Sequence, residues 1–104
     1  IVNARYAMAY CRFSTQTDRG PSQVYVWVSS ENMPGRFRQK YIWNVWFLEN
    51  DRHESENKRE FDTPYKAADF LQELADKEYI VPKKTIEALK TEKLTKGKPD
   101  WLND

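Results

Sequence analysis

The chain reads as an α+β domain: an antiparallel β-meander of three to four strands, followed by two α-helices packed on one sheet face. Three observations predict this. Val24, Val26 and Val28 alternate with Tyr25, Trp27 and Ser29, the period-2 pattern of a half-buried strand. Residues 40–48 form the most apolar run, uncharged from Tyr41 to Leu48 and holding two of the four tryptophans, as suits a central strand. Ala67, Phe70, Leu71 and Leu74 then recur at the i, i+3, i+4, i+7 spacing of a helix stripe. Strand patterns come first and helix patterns last, the order expected of α+β rather than of alternating α/β folds.

Taken in order, residues 5–14 read as the first strand, with Ala7, Ala9, Cys11 and Phe13 on one face and Tyr6, Met8, Tyr10 and Arg12 on the other. Residues 14–22 are a polar loop broken by Gly20-Pro21. The second strand covers residues 23–29. Pro34-Gly35 suits a type II turn, because Pro presets φ at the first central position and Gly supplies the positive φ of the second. The third strand follows over residues 37–48 and places Tyr41, Trp43, Val45 and Phe47 on the core side. Ile42, Asn44, Trp46 and Leu48 point the other way. After a polar connection at residues 50–57, residues 58–61 make a short charged strand suited to a sheet edge.

Thr63 is the expected N-cap of the first helix and Pro64 its first helical residue. Glu73 and Lys77 add an i,i+4 pair. Tyr79-Ile80-Val81 ends that helix, Pro82 starts the second, and Ile86, Leu89 and Leu94 form its narrower stripe until Gly97 and Pro99 stop it. Strands therefore fall within residues 1–62, helices within 63–96 and a tail within 97–104. At 104 residues this is a single domain, residues 1–104.

The net charge is +1, too small for a surface that is basic all over and far from that of an acidic nucleic-acid mimic. The charge is uneven: residues 1–49 hold six Lys/Arg against three Asp/Glu, and the remainder is mildly acidic. Aromatics are 14% of the chain, which argues for a core of large rings and against disorder. The one cysteine, Cys11, has no second cysteine to form an intrachain disulfide and reads as a small buried residue. No apolar run approaches the ~20 residues of a membrane span, and residues 1–5 carry no signal-peptide pattern. No membrane association and a cytoplasmic location are the expectations.

Catalytic and metal chemistry finds little to work with. Residues 51–56 hold His53 among acidic residues, but with one imidazole and no second His or Cys at a ligand spacing they read as a solvated loop. A lone histidine also removes most nucleophile–His schemes, and three scattered glycines make no phosphate loop. No cofactor, no metal and no enzymatic activity are expected. Lys83, Lys84, Lys90, Lys93, Lys96 and Lys98 give the second helix a basic flank relieved by Glu87 and Glu92, the ordinary composition of a wet helix face.

The sheet face turned away from the helices is richer. By alternation it collects Tyr6, Tyr10, Arg12, Tyr25, Trp27, Arg36, Arg38, Lys40, Asn44 and Trp46. Of these, Arg12, Tyr25, Trp27, Arg36, Arg38, Lys40, Asn44 and Trp46 are the candidate contact residues. Aromatic rings stack bases, and Arg and Lys neutralise phosphates. The same residue types dominate protein-binding hot spots. Cover by the Trp101 tail or by a second subunit in a dimer is the structural alternative.

A family resemblance points the same way. Tyr41-Ile42-Trp43-Asn44-Val45, then Lys58-Arg59-Glu60-Phe61-Asp62-Thr63, then Ala67-Ala68 and Leu71 resemble the AP2-type domain and the arm-binding domain of tyrosine recombinases, over residues 24–75 with gaps. Those domains are three-stranded sheets backed by a helix that insert the sheet into the DNA major groove. The resemblance implies DNA contacts by Arg36, Arg38, Lys40 and Trp46. This chain adds an N-terminal strand and a second helix to that pattern. In size and outline the chain is also similar to phage-encoded inhibitors, including anti-CRISPR and other anti-defence proteins. That similarity implies a host protein as partner, bound without chemistry in a bacterial or phage-infected cytoplasm. The sequence thus favours a nucleic-acid-binding module (DNA or RNA), with a phage or mobile-element inhibitor that blocks a host protein as the alternative.

Overall fold

The three valines decide where the rest of the chain lies. Val24, Val26 and Val28 are each at most 1% exposed, so the strand that carries them has one face fully covered. The computed structural model describes residues 5–32, 39–48 and 57–101. Its main sheet contains β1 (Arg5–Cys11), β4 (Val24–Asn32), β5 (Gln39–Phe47) and β6 (Lys58–Phe61), and its two helices are α1 (Pro64–Asp76) and α2 (Lys83–Lys90). The sheet order is β1-β4-β5-β6 with antiparallel neighbours, which is the expected meander. Its interruption between β1 and β4 is a small ribbon of β2 (Gln16–Thr17) and β3 (Gly20–Pro21). This ribbon lies inside the stretch expected to be plain loop. Gly20 sits there at φ 121, a conformation closed to residues with a Cβ.

The fold class holds: α+β, an antiparallel sheet with both helices after it. Val24, Val26, Val28, Trp43 and Val45 from the sheet meet Ala67, Ala68, Leu71 and Leu74 of α1 and Ile86 and Leu89 of α2 in one core. Tyr41, Trp43, Val45 and Phe47 belong to or pack against that core, as alternation required. Phe70, at the rim, meets Phe47 and Phe61 at ring-centroid distances of 5.5 Å each. Cys11 is buried in the core, and its Sγ lies 3.5 Å from the Val24 carbonyl oxygen.

β1 departs from simple alternation. Tyr6 pairs with Ser29, Ala9 with Trp27 and Cys11 with Val26, so the ladder shifts twice along a short strand. The second shift sets Tyr10 and Cys11 together against one residue of β4, a β-bulge that turns both to the same side. Tyr10 was expected on the outer face. It packs against the core instead, with its hydroxyl accepting a 3.2 Å hydrogen bond from Nε1 of the fully buried Trp43. Ala9 correspondingly pairs with the outward Trp27, and Phe13 meets Tyr25 rather than the valines.

α1 begins as expected: Thr63 is extended and its Oγ1 accepts from the Lys66 amide at 3.1 Å, with Pro64 in the first turn. It ends in a Schellman arrangement. Glu78 takes φ 73, its amide donates to Ala75 O, and the Tyr79 amide donates to Leu74 O. α2 is shorter than expected and stops at Lys90. Leu94 is not on its stripe but in a hairpin of β7 (Leu94–Thr95) and β8 (Lys98–Pro99). The two turn residues, Lys96 at φ 54 and Gly97 at φ 81, both have the left-handed conformation of a type I′ turn. Gly97 thus serves a hairpin, where a helix stop was expected.

Candidate functional site

The β4–β5 register settles which side chains share the outer face. Tyr25 pairs with Trp46, Trp27 with Asn44, Ser29 with Ile42 and Glu31 with Lys40. β6 extends two of these rows, setting Glu60 opposite Asn44 and Lys58 opposite Trp46. Tyr25, Trp27 and Trp46 are all half-buried and form a cluster on this face. Trp27 and Trp46 lie 5.3 Å apart between centroids at an interplanar angle of 87°. Tyr25 lies 4.9 Å from Trp27 at 76° and 6.5 Å from Trp46 at 62°. Such edge-to-face contacts fix each ring's orientation through its neighbours' quadrupoles.

Cations bracket the rings. Arg12, just beyond β1, places its guanidinium carbon 5.6 Å from the Tyr25 ring centroid and donates from Nη1 to the Tyr25 hydroxyl at 3.0 Å. At the far side Lys58 follows Trp46 across the ladder and bridges Glu60 at 3.1 Å. One row across the sheet therefore reads Arg12, Tyr25, Trp46, Lys58. Lys40 is exposed, three outer-face rows further along β5 and opposite Glu31.

Asn44 has a different part. It lies on the outer side but is only 3% exposed. Its Nδ2 is within 3.1 Å of Ser29 Oγ, 3.2 Å of Ile42 O and 3.3 Å of Trp27 O. Two hydrogens shared among three acceptors make it a brace of the β4–β5 pair beneath the rings, committed to the sheet rather than turned outward. Arg36 and Arg38 lie outside the described residues, as do the Pro34-Gly35 turn and His53 with its loop neighbours. Of the eight candidates, the structure brings Arg12, Tyr25, Trp27 and Trp46 together, sets Asn44 under them, and leaves Lys40 apart.

A second polar cluster, on the helix side, had no signal in the sequence because its hydrogen-bonded members are up to 82 positions apart. The Tyr10 hydroxyl donates to Glu92 Oε1 at 2.7 Å while accepting from Trp43, and Trp101 packs edge-on against the Tyr10 ring at 5.9 Å. Tyr65 donates to the Glu92 carbonyl oxygen. Burial, followed by the Glu92 hydrogen bond, pushes the Tyr10 hydroxyl pKa well above its ordinary value. This cluster ties the segment holding Glu92 and Trp101 to the helix side of β1, so Trp101 does not cover the outer rings.

Other chemistry is sparse. Burial pushes the Cys11 thiol pKa up, which keeps it protonated and unreactive. Among the described residues no group of three His, Cys, Asp or Glu side chains is placed to hold a metal ion. Among them, too, no helix is long and apolar enough to cross a membrane. An open hollow of about 350 Å³ at the β5–β6 edge is lined by Lys40, Ile42, Glu60, Phe61, Asp62 and Lys66. Its charges are balanced: Lys66 bridges Asp62 at 3.0 Å, and that hydrogen bond holds the Asp62 carboxyl below its ordinary range. Comparison with family models, with curated proteins and with solved structures finds no match to this chain.

Proposed function

We propose that this chain is a non-enzymatic binding module that contacts nucleic acid through the outer face of its sheet. The observation that carries the reading is the row Arg12–Tyr25–Trp46–Lys58: rings in the middle, a cation at each end, on the face opposite the core. Rings supply stacking surface that tolerates any base, and flanking cations supply the phosphate contacts that dominate affinity. The Lys58–Glu60 pair does not oppose this, because an exposed ion pair contributes only about 0–1 kcal/mol and exchanges readily for a phosphate.

Anisotropy titrations against labelled oligonucleotides across a salt series test the proposal. Binding should weaken steeply with salt, and Arg12→Ala or Lys58→Ala should each reduce the log–log slope by about 0.7–0.9. No affinity for single-stranded or duplex nucleic acid at low salt would overturn it.

One observation favours a second reading, a module that binds and occludes a protein. Glu31 opposite Lys40 and Glu60 beside Lys58 bring the described part of this face toward charge balance, leaving the rings as its anchor. Trp and Tyr inside a polar rim are what a protein hot spot needs. Flat nucleic-acid titrations, together with a purified protein partner lost on Trp46→Ala, would favour this reading instead.

A further inference from the structure

Resting on the nucleic-acid reading, we infer that the outer face takes a single strand, with one splayed base set against the Tyr25–Trp27–Trp46 ring cluster, and discriminates against duplex. The ring angles are the first ground. At 62°, 76° and 87° to one another, the three rings offer no set of parallel faces on which a continuous base stack could rest. Packed edge-to-face on one another and half-buried, they offer a ligand only the parts of the rings that face solvent. Only a base already out of its stack has a free face to set there, and duplex bases show the protein nothing but their edges.

Position in the sheet is the second ground. The rings stand on β4 and β5, the two central strands, and not at a sheet edge. Three inter-strand steps of about 4.8 Å make the sheet roughly 14 Å wide between its outer strand axes. A B-form major groove is about 12 Å wide and admits a helix or a two-stranded ribbon. Inserting the central strands would require the flanking strands to enter with them. A flexible strand laid across the sheet meets no such obstacle.

The cations complete the case. Arg12 is held against Tyr25 by its cation–π contact and its hydrogen bond, so its remaining N–H donors are positioned before any ligand arrives. Lys58 stands at the other end of the row. A strand crossing the row puts phosphates near both, one on each side of the splayed base.

The test compares one labelled oligonucleotide of about 12 nucleotides, within the usual single-strand site range, with its duplex at low salt. Anisotropy and tryptophan emission are both followed. The single strand should bind at least about tenfold more tightly and quench tryptophan emission, and Trp46→Leu should lose about tenfold or more of that affinity. Arg12→Gln, at an exposed site whose loss leaves the core intact, should weaken the single strand and lower its salt slope by about 0.7. That variant decides the matter if Trp46→Leu fails to fold. Duplex binding as tight as single-strand binding would overturn the inference and leave the nucleic-acid reading standing. So would single-strand binding that ignores Arg12. No binding to either form would overturn both.

Discussion

The two faces of β4 and β5 use the same residue types to opposite ends. On the helix side Trp43 is fully buried, its indole N–H answered by Tyr10, and the valines around it are sealed by α1 and α2. On the outer side Trp46, three residues along β5 from Trp43, and Trp27, on the neighbouring β4, are half-buried and packed edge-to-face on each other. Both faces are aromatic, so composition does not separate scaffold from surface. What separates them is the layer above: two helices on one side, and a cluster of rings bracketed by Arg12 and Lys58 on the other.

Tryptophan substitution divides the faces most sharply. Trp43→Ala empties a sealed site and should cost about 3–5 kcal/mol in urea unfolding. Trp46→Ala removes a half-buried ring and should cost about 1–2 kcal/mol, while removing most of the binding. Equal stability losses would break the distinction between the faces.

Tyr10→Phe acts on the helix side alone. It strips Trp43 Nε1 of its acceptor and Glu92 of a donor, for an expected loss of about 1–2 kcal/mol, with outer-face binding unchanged. It also changes the pH response. The folded chain keeps a proton that the unfolded chain releases near the ordinary tyrosine value of 10.0. Stability from this group is therefore complete below that value and falls as pH rises above it. Urea midpoints should decline above about pH 10 more steeply in the wild type than in Tyr10→Phe. Parallel declines would contradict the role given to this hydroxyl.

The smallest expected effect is a gain. Glu78 holds a left-handed conformation at the end of α1, which glycine adopts freely. Glu78→Gly should stabilise by about 0.5–1 kcal/mol without touching binding, a scaffold change that a melting curve registers and a titration does not.

Much of the fold was legible because local chemistry and burial agreed. Valine alternation marked β4, and Thr63-Pro64 marked the start of α1. The face of Tyr10 was not legible, since a bulge inserts one residue and reverses all alternation beyond it, and nothing in residues 5–11 announces one. The hairpin at residues 94–99 was hidden because Ile86, Leu89 and Leu94 mimic a continuing helix stripe, and because Lys is an unusual residue at the first position of a type I′ turn. For the candidate site, alternation placed Tyr25, Trp27, Asn44 and Trp46 on the correct side. It carries no depth, so Asn44 read as an outward polar group when it is a buried brace.

Under the proposed function, one face of these strands is scaffold and the other is contact surface. Indole N–H resonances, assigned by substitution and followed while a single-stranded oligonucleotide is added, test it most directly. The account predicts that the Trp27 and Trp46 signals shift in step with binding while the Trp43 signal stays in place. Binding that leaves Trp27 and Trp46 unmoved, or that shifts Trp43 or Trp101 in their stead, would contradict it.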